Sequence, residues 1–550
     1  MYLLSYTRKP IDNVLYDERL AYSCHYAYSD DGKVFYPLNH NSGVLFAKAV
    51  ENEDGSLDPR TLKKPVISEN EFGRFLVTCE LCGPEGEDLG KVITYATDDF
   101  LEYEVVGTES MDIMCEPDFD EYDLSNIEGC VPASIVRVSD VIGDRLKNKL
   151  LPITNVNIDT PITIKASTPE ELNNYRVLAR YSDKSTVLKN VEWDLRNVNW
   201  SKKGAYQVTG FVKVPHFEFP IATDRADPCI GFWKGKYYFI ATNDADGNHT
   251  LYIREGESVE ELVNAKEHLI LDSDTYPEFG GLLWAPEFHV INGKLYIFHA
   301  ATPGPFFEEE SCVMELKHGG NPINKDDWTK PRRVVKADGS DICEAGKEIT
   351  LDMTEFEWDG EYYVIWSQRQ FLPKDLGAWL YIAKLNPDEP YKLASEPVIL
   401  SKPDYSWANN HTFVEEGPFA LIRNDRLFIT YSAAAVDTSY VVGLLQIEKG
   451  KDLLDPSNWK KRGFPLLTSR SVEGEYGTGH NAFVVDREGY LWNTYHARPG
   501  TDAPRSSGIR RVHFDIDDEP VLDMVEERDV AYEFRTFMTT IVVDSCKNNM

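Results

Sequence analysis

The second half of the chain repeats one pattern of polar and apolar positions. A short polar turn, most often with glycine, is followed each time by a strand-like run rich in aromatic and branched apolar residues. The five copies begin at Gly235, Gly293, Gly360, Asn424 and Glu488. Their spacing of roughly 60 to 65 residues is somewhat longer than that of common four-stranded blade repeats. Five such units predict a five-bladed β-propeller, whose innermost strands surround a common axis.

The first half has a different pattern. Residues 1–150 consist of short strand-like runs between Gly and Asp turns, without sustained helical periodicity or a chemical motif. In residues 151–215 apolar and polar residues alternate, which favours a small antiparallel sandwich. Within this segment, Arg180-Tyr-Ser-Asp-Lys and Gly204-Ala-Tyr-Gln-Val-Thr-Gly210 resemble bacterial Ig-like modules, which implies a spacer role.

These patterns predict an all-β protein in three parts. Residues 1–150 form a β-rich N-terminal region of unknown role, and residues 151–215 form the Ig-like sandwich. Residues 216–540 form the propeller, which we expect to carry catalysis.

The charge of the chain narrows its partners. A formal net charge of -34 opposes binding to nucleic acid or to an anionic membrane surface. No run approaches the roughly 18 to 20 apolar residues of a membrane span.

The nine scattered cysteines do not form a disulfide framework, and Cys79-Glu-Leu-Cys82 is interpreted as structural. Because no secretion signal is recognised, we expect a cytoplasmic protein; a secreted one with its leader removed is the alternative. The oligomeric state is not indicated.

Each predicted blade carries a distinctive motif roughly 6 to 12 residues before its aromatic strand. The motifs contain Asp227, Trp284-Ala-Pro-Glu287, Asp352, Glu416 and His480. Three carboxylates at equivalent places in three blades would meet at one end of the axis. Two carboxyl groups are what glycoside hydrolysis needs, and a third raises the pKa of the acid by repulsion.

Some of these positions have competitors. Asp224 lies in the same turn as Asp227, but Pro228 holds Asp227 at a strand start. Glu415 precedes Glu416, and adjacent strand residues point to opposite faces. Trp284 is suited to line a sugar site, whereas Glu287 either contacts the sugar or holds its loop. Acidic and histidine side chains also leave open a site for an oxygen-preferring cation.

Residues from about 219 to 535 resemble glycoside hydrolase family 43. The matching motifs are Arg225-Ala-Asp227-Pro, Trp284-Ala-Pro-Glu-Phe-His289, Leu351-Asp352-Met-Thr, Glu416-Gly-Pro-Phe, Gly479-His480-Asn and Tyr495-His-Ala-Arg498. Members of that family are five-bladed propellers and inverting enzymes. The resemblance does not extend to residues 1–215.

The resemblance implies a role for each motif. Asp227 would be the general base that activates water, Glu416 the general acid, and Asp352 the carboxylate that orients the acid and tunes its pKa. Arg498 would contact substrate. His480 is similar to an axial histidine that contacts a central ion, often calcium, through water. No cofactor is implied for the chemistry itself.

We therefore predict an inverting exo-glycosidase that releases terminal α-L-arabinofuranosyl residues from arabino-oligosaccharides or arabinoxylan fragments. A β-xylosidase of the same family is the nearest alternative, because pentose choice depends on pocket walls. A non-catalytic carbohydrate-binding propeller is a second alternative. A transferase or phosphorylase on the same scaffold is a third, with little basic charge to support it.

Overall fold

Five four-stranded antiparallel sheets build the second half of the chain in the computed structural model, which describes residues 1–11, 15–110 and 118–544. They confirm the predicted five-bladed propeller, and in blades one to four the first strand in the chain is the innermost one. Blade one contains Arg225–Trp233, Lys236–Asn243, Thr250–Gly256 and His268–Asp272. Blade two contains Leu283–Ile291, Lys294–Ala301, Glu310–Glu315 and Arg332–Arg333. Blade three contains Glu348–Trp358, Glu361–Gln370, Gly377–Lys384 and Val398–Ser401. Blade four contains Glu415–Arg423, Arg426–Ala433, Val441–Glu448 and Lys460–Lys461.

Blade five closes the ring. Its strands Tyr476–Val485, Leu491–Arg498 and Ser506–Arg511 come from the end of the propeller sequence. The fourth strand, Ala222–Thr223, comes from its beginning and pairs with Ser506–Arg511. Blades five and one are therefore neighbours through the closure, and residues almost 300 positions apart meet there, such as Asp227 and Arg505.

The inner strand of every blade contains the same irregularity. Its pairing with the second strand slips, and the first slipped residue has a left-handed φ between 44° and 54°. Such bulges bend a strand and re-aim its side chains, and they are common beside active sites. The five left-handed residues are Asp227, Ala285, Asp352, Gly417 and His480.

The bulges correct one expectation. Asp227 and Asp352 occupy the same position in their blades, but Glu416 lies one residue before the bulge residue Gly417. The three carboxylates are thus not equivalent. They meet because Glu416 has a longer side chain and approaches the same end of the axis from the preceding position.

The N-terminal region packs against the side of blades three and four. It contains the sheet Tyr2–Arg8, His25–Ser29, Tyr36–Pro37 and Cys130–Arg137. A second sheet contains Thr61–Glu69, Phe75–Cys82, Asp88–Thr97 and Glu104–Ser110, and the short hairpin Val50–Glu51 with Leu57–Asp58 lies apart. One apolar core joins Leu3 and Tyr26 of this region to Trp358 and Leu427 of the propeller. The region therefore shares a hydrophobic core with the propeller and is not connected to it by a linker alone.

Residues 151–215 form only part of a sheet. The strands Asn155–Asp159, Arg176–Tyr181, Thr186–Asp194 and Gly204–Val212 are followed by Thr536–Val543 and Thr163–Lys165. The propeller was predicted to end at residue 540. The strand Thr536–Val543 instead joins this sheet, so the predicted boundary lies too far along the chain. Thr536–Val543 pairs along Gly204–Val212 because that strand would otherwise present an open edge. An Ig-like identity is not confirmed by this arrangement, which includes one parallel strand pair.

Helices are few and short. The longest one, Asp140–Leu150, is capped by Ser139, whose hydroxyl accepts the N–H of Ile142. The other α-helices are Glu18–Ala21, Val259–Leu262 and Glu526–Asp529. None of the helices in the described part of the chain has the length and apolar character needed to cross a membrane.

Candidate active site

A pocket of about 420 Å³ lies where the bulges of the inner strands meet. Asp227, Asp352, Glu416 and His480 all line it, so four residues singled out in four different blades come together. Trp284 lines it too, as expected for a sugar site. Other lining residues discussed below are Phe306, Arg369, Arg498 and Arg505.

Asp227 is buried and surrounded by cationic and donor groups. Its Oδ1 lies 3.0 Å from Nδ1 of His496, 3.2 Å from Nδ1 of His480 and 3.3 Å from Nη1 of Arg505. Its Oδ2 accepts a hydrogen bond from the Thr242 hydroxyl at 2.6 Å. Burial opposes ionisation, but the charges of His480 and Arg505 outweigh it and hold the pKa of Asp227 well below its usual range. Asp227 is therefore a carboxylate at neutral pH.

Glu416 has the opposite character. Its Oε1 accepts a hydrogen bond from the Tyr440 hydroxyl at 2.8 Å. Burial raises the pKa of Glu416, and the nearby charge of Asp227 adds to the increase. The neighbouring Glu415 points away, as strand alternation predicts, and its Oε1 pairs with Nζ of Lys461 at 2.6 Å. Glu416 is thus the glutamate of this pair that faces the pocket.

Asp352 lies between these two groups in character. Its Oδ2 accepts the backbone N–H of Gly417 at 2.9 Å, which connects it to the strand that carries Glu416. Burial, together with the charges of Glu416 and Asp227, raises the pKa of Asp352 to about 7. Asp352 and Glu416 repel each other when both are ionised, which disfavours the state in which neither of them holds a proton.

His480 is buried beneath the carboxylates. Burial opposes its charge, but Asp227 and Asp352 outweigh this and raise the pKa of His480. Its Nε2 is buried without a hydrogen-bond partner, which fits a bound water. Among the described residues, no three His, Cys, Asp or Glu side chains converge to hold a metal. Since calcium takes six to eight oxygen ligands, an ion beside His480 would be held mostly by water.

Two predicted substrate contacts have other partners. Glu287 does not line the pocket; it lies two residues past its bulge position, about 7 Å deeper along the strand. Its Oε2 contacts Nε2 of His289 at 2.8 Å instead. Arg498 does line the pocket, but its Nη1 and Nη2 donate to the carbonyl oxygens of Ala503 and Val436. The roles of Arg498 and Glu287 toward substrate both stay predictions.

Three residues of the site, Arg505, His496 and Tyr440, were not predicted from the sequence. Arg505 contacts Asp227 and also pairs with both oxygens of Asp244, at 2.9 and 2.8 Å. His496 contacts Asp227, and the Tyr440 ring stacks on His496 with centroids 5.4 Å apart. His496 lies within the motif that ends at Arg498, but the sequence did not indicate which way its side chain points. Arg505 carried no local signal.

The arrangement places a carboxyl group with a lowered pKa, Asp227, and one with a raised pKa, Glu416, at the same pocket. This is the pair that inverting hydrolysis of a glycosidic bond requires. A five-bladed propeller with such a pair at one end of its axis defines the class of the protein as a carbohydrate-active hydrolase.

The comparison with known families makes this specific. Residues 217–520 match the model of glycosyl hydrolases family 43. The match covers more than half of the chain, and the chain belongs to this family. The protein is therefore a glycoside hydrolase that acts on a carbohydrate substrate.

Individual relatives resemble the same half of the chain. It is 34% identical over 285 residues, 51% of this chain and 82% of the relative, to the "Extracellular exo-alpha-(1->5)-L-arabinofuranosidase" of Streptomyces chartreusis. It is 32% identical over 286 residues to "Alpha-L-arabinofuranosidase B" of Pyricularia oryzae, covering 51% of this chain and 56% of that one. The crystal structure of an alpha-L-arabinofuranosidase from Lactobacillus brevis has 30% identity and a TM-score of 0.49, covering 55% and 95% of the two chains.

These relatives contradict the expected cytoplasmic location. The relatives from Streptomyces chartreusis and Streptomyces avermitilis are both named extracellular enzymes. The cysteines do not decide between a cytoplasmic and an extracellular location. The seven cysteines in the described residues are all unpaired, and unpaired cysteines are compatible with either compartment.

Proposed function

We propose that this protein is an inverting exo-α-L-arabinofuranosidase that removes terminal arabinofuranosyl residues from arabino-oligosaccharides or arabinoxylan fragments. The observation that carries the proposal is the contrast between Asp227 and Glu416, one with a strongly lowered pKa and one with a raised pKa, at the same pocket. The choice of sugar is supported by the names of the relatives from Streptomyces chartreusis and Pyricularia oryzae.

In the proposed reaction, Asp227 takes a proton from a water molecule that attacks the anomeric carbon. Glu416 gives its proton to the glycosidic oxygen as the bond from that oxygen to the anomeric carbon breaks. The new carbon–oxygen bond forms on the opposite face, so the configuration inverts. Asp352 keeps Glu416 protonated and fixes its strand through Gly417. No cofactor takes part in these steps.

The test compares two substrates that differ in leaving group. Glu416→Gln should lower kcat on arabinobiose by about 10²- to 10⁴-fold, the range that general acid catalysis contributes. It should affect 2,4-dinitrophenyl α-L-arabinofuranoside much less, because that leaving group departs without a proton. Asp227→Asn should impair both substrates. The matched control is Asp224→Asn, an acid in the same turn that does not line the pocket.

Three results would contradict the proposal. Equal losses on both substrates in Glu416→Gln would remove Glu416 as the acid. A first-formed product of retained configuration, followed by nuclear magnetic resonance, would exclude inversion. Faster hydrolysis of p-nitrophenyl β-D-xyloside than of the arabinofuranoside would assign the enzyme to the β-xylosidases.

We also propose a division into three units and a water-held calcium ion on the axis. The first unit is residues 1–150, the second is residues 151–215 completed by Thr536–Val543, and the third is the propeller. The unpartnered Nε2 of His480 supports the ion. When calcium is added back to protein that has been treated with a chelator, it should raise the unfolding temperature. The unfolding temperature of a His480→Gln variant should not change when calcium is added.

A further inference from the structure

We propose that an aromatic rim beside the pocket binds the part of the oligosaccharide that leaves, on the far side of the bond that is cut. This aromatic rim consists of Phe306, Phe307 and Phe371. The inference rests on the proposed function and extends it to chain-length preference. Its ligand class is a neutral oligosaccharide with at least two sugar units beyond the terminal arabinofuranose.

The rim is continuous with the pocket. Phe306 and Trp284 both line the pocket, with ring centroids 5.7 Å apart. Phe306 is 5.5 Å from Phe307 and 5.6 Å from Phe371, and the latter two are 4.9 Å apart. The rings therefore form an unbroken path from the pocket wall to the surface.

The rim is exposed although it is apolar. Phe307 is 50% exposed, Phe306 is 37% exposed, and Leu372 beside Phe371 is 52% exposed. Grouped exposed apolar side chains on a soluble protein commonly mark a binding surface. Sugar rings present apolar C–H faces that pack on aromatic rings, while their hydroxyl groups remain in water.

The rim lies beside the proposed general acid. Phe371 follows the strand Glu361–Gln370, in which Arg369 pairs with Ala378. The N–H of Ala378 donates to the Phe413 carbonyl oxygen at 2.8 Å, and Ala378 bridges to Val414, two residues before Glu416. Because Glu416 must reach the oxygen between the terminal sugar and the next one, that next sugar emerges on this side.

Two arginines, Arg498 and Arg505, line another side of the pocket. There Arg505 is engaged by Asp244 and Asp227, and Arg498 donates to two backbone carbonyl oxygens. These cationic groups already have partners within the protein. The aromatic rim is consequently the side that suits a neutral chain of sugars.

The rim is also preformed. The Gly346 N–H donates to the Phe307 carbonyl oxygen at 3.0 Å, and the Phe371 N–H donates to that of Lys347 at 2.8 Å. The first bond joins the blade-two hairpin to blade three, and the second holds Phe371 within blade three. Next to Phe371, Nζ of Lys374 contacts Oδ2 of Asp54 at 2.7 Å, so the N-terminal region braces the turn. A rigid surface loses little entropy on binding.

The experiment measures chain-length preference in Phe307→Ala, Phe371→Ala and the double variant. The readout is kcat/KM on arabinotriose divided by kcat/KM on methyl α-L-arabinofuranoside, which has no second sugar. We expect this ratio to fall about three- to tenfold in each single variant and further in the double variant. Phe232→Ala is the matched control, since Phe232 is 46% exposed at the far end of the blade-one inner strand.

The outcomes separate the two proposals. If the wild type hydrolyses both substrates and the ratio is unchanged in the double variant, the rim is excluded while the proposed function stands. If the wild type hydrolyses neither substrate, the proposed function fails by itself. Calorimetric binding of arabinotriose to the same proteins then tests the proposed role of the rim. That proposal is overturned if arabinotriose does not bind, or if it binds the wild type and the double variant with equal affinity.

Discussion

The backbone N–H of Gly417 donates a hydrogen bond to Oδ2 of Asp352, joining blade four to blade three directly beside Glu416. Gly417 has a φ of +54°, and a Cβ at this position would lie 2.9 Å from Nδ1 of His480. The close approach of the histidine leaves no room for a side chain at this position, and glycine adopts this φ without strain. Asp352 therefore contacts the strand that carries Glu416, and in the proposed mechanism it also acts on the charge of Glu416.

An Asp352→Asn variant separates these two effects. The amide oxygen still accepts the Gly417 N–H. The negative charge of Asp352, which opposes the ionisation of Glu416, is lost. The pKa of Glu416 should fall, so the alkaline limb of the kcat/KM profile should move to lower pH. We expect activity at neutral pH to fall about 10²-fold, the lower end of what general acid catalysis contributes. Kinetics from acid to mildly alkaline pH measure both changes.

Asp352→Ala is the companion variant. It removes the acceptor along with the charge, so kcat should fall further than in Asp352→Asn while the alkaline limb moves in the same direction. An alkaline limb that stays in place in both variants would show that Asp352 does not set the pKa of Glu416.

Much of the fold and half of the site follow from local sequence patterns. The turn-and-strand repeat predicts the number of blades, because each blade is a short-range unit. Asp227, Asp352 and Glu416 lie in motifs on inner strands, and the geometry of a propeller brings inner strands together. Such residues need no knowledge of distant pairing to be found.

The remaining features depend on long-range contacts. Arg505 reaches Asp227 only because the ring closes between blades five and one. Thr536–Val543 pairs with Gly204–Val212, which lies more than 300 residues earlier in the chain. No sequence periodicity indicates this pairing. The depth of Glu287 depends on a bulge at Ala285, a residue type that gives no hint of a left-handed φ.

Arg505 should set the acid limb of the activity profile. Its guanidinium lies 3.3 Å from Oδ1 of Asp227 and helps to lower the pKa of that carboxyl group. In Arg505→Gln the pKa of Asp227 should rise, so activity should be lost at a higher pH on the acid side. The measurement is the acid limb of kcat/KM on arabinobiose.

Arg498→Gln is the control for this prediction. Arg498 lines the same pocket but donates to backbone carbonyl oxygens rather than to Asp227. Its loss should alter KM and leave the acid limb where it is. If both variants shift the limb equally, the effect belongs to general positive charge and not to the Arg505–Asp227 contact.

The buried group Glu287–His289–Glu355 should make stability depend on pH. Nε2 of His289 lies 2.8 Å from Glu287, and Nδ1 lies 3.4 Å from Glu355. Burial opposes the charge of His289, but hydrogen bonds to the two glutamates outweigh it and raise the pKa of His289 to about 9.

Because the folded pKa of His289 lies above the unfolded value of about 6.5, its contribution is complete below that pH and is lost as the pH rises through about 9. Its upper limit is about 3 kcal/mol. We expect the urea midpoint of the propeller, followed by tryptophan fluorescence, to fall across this window. His289→Gln should be less stable at every pH and lack this part of the decline, since its amide does not titrate. A decline of equal size in both proteins would assign the effect to other groups.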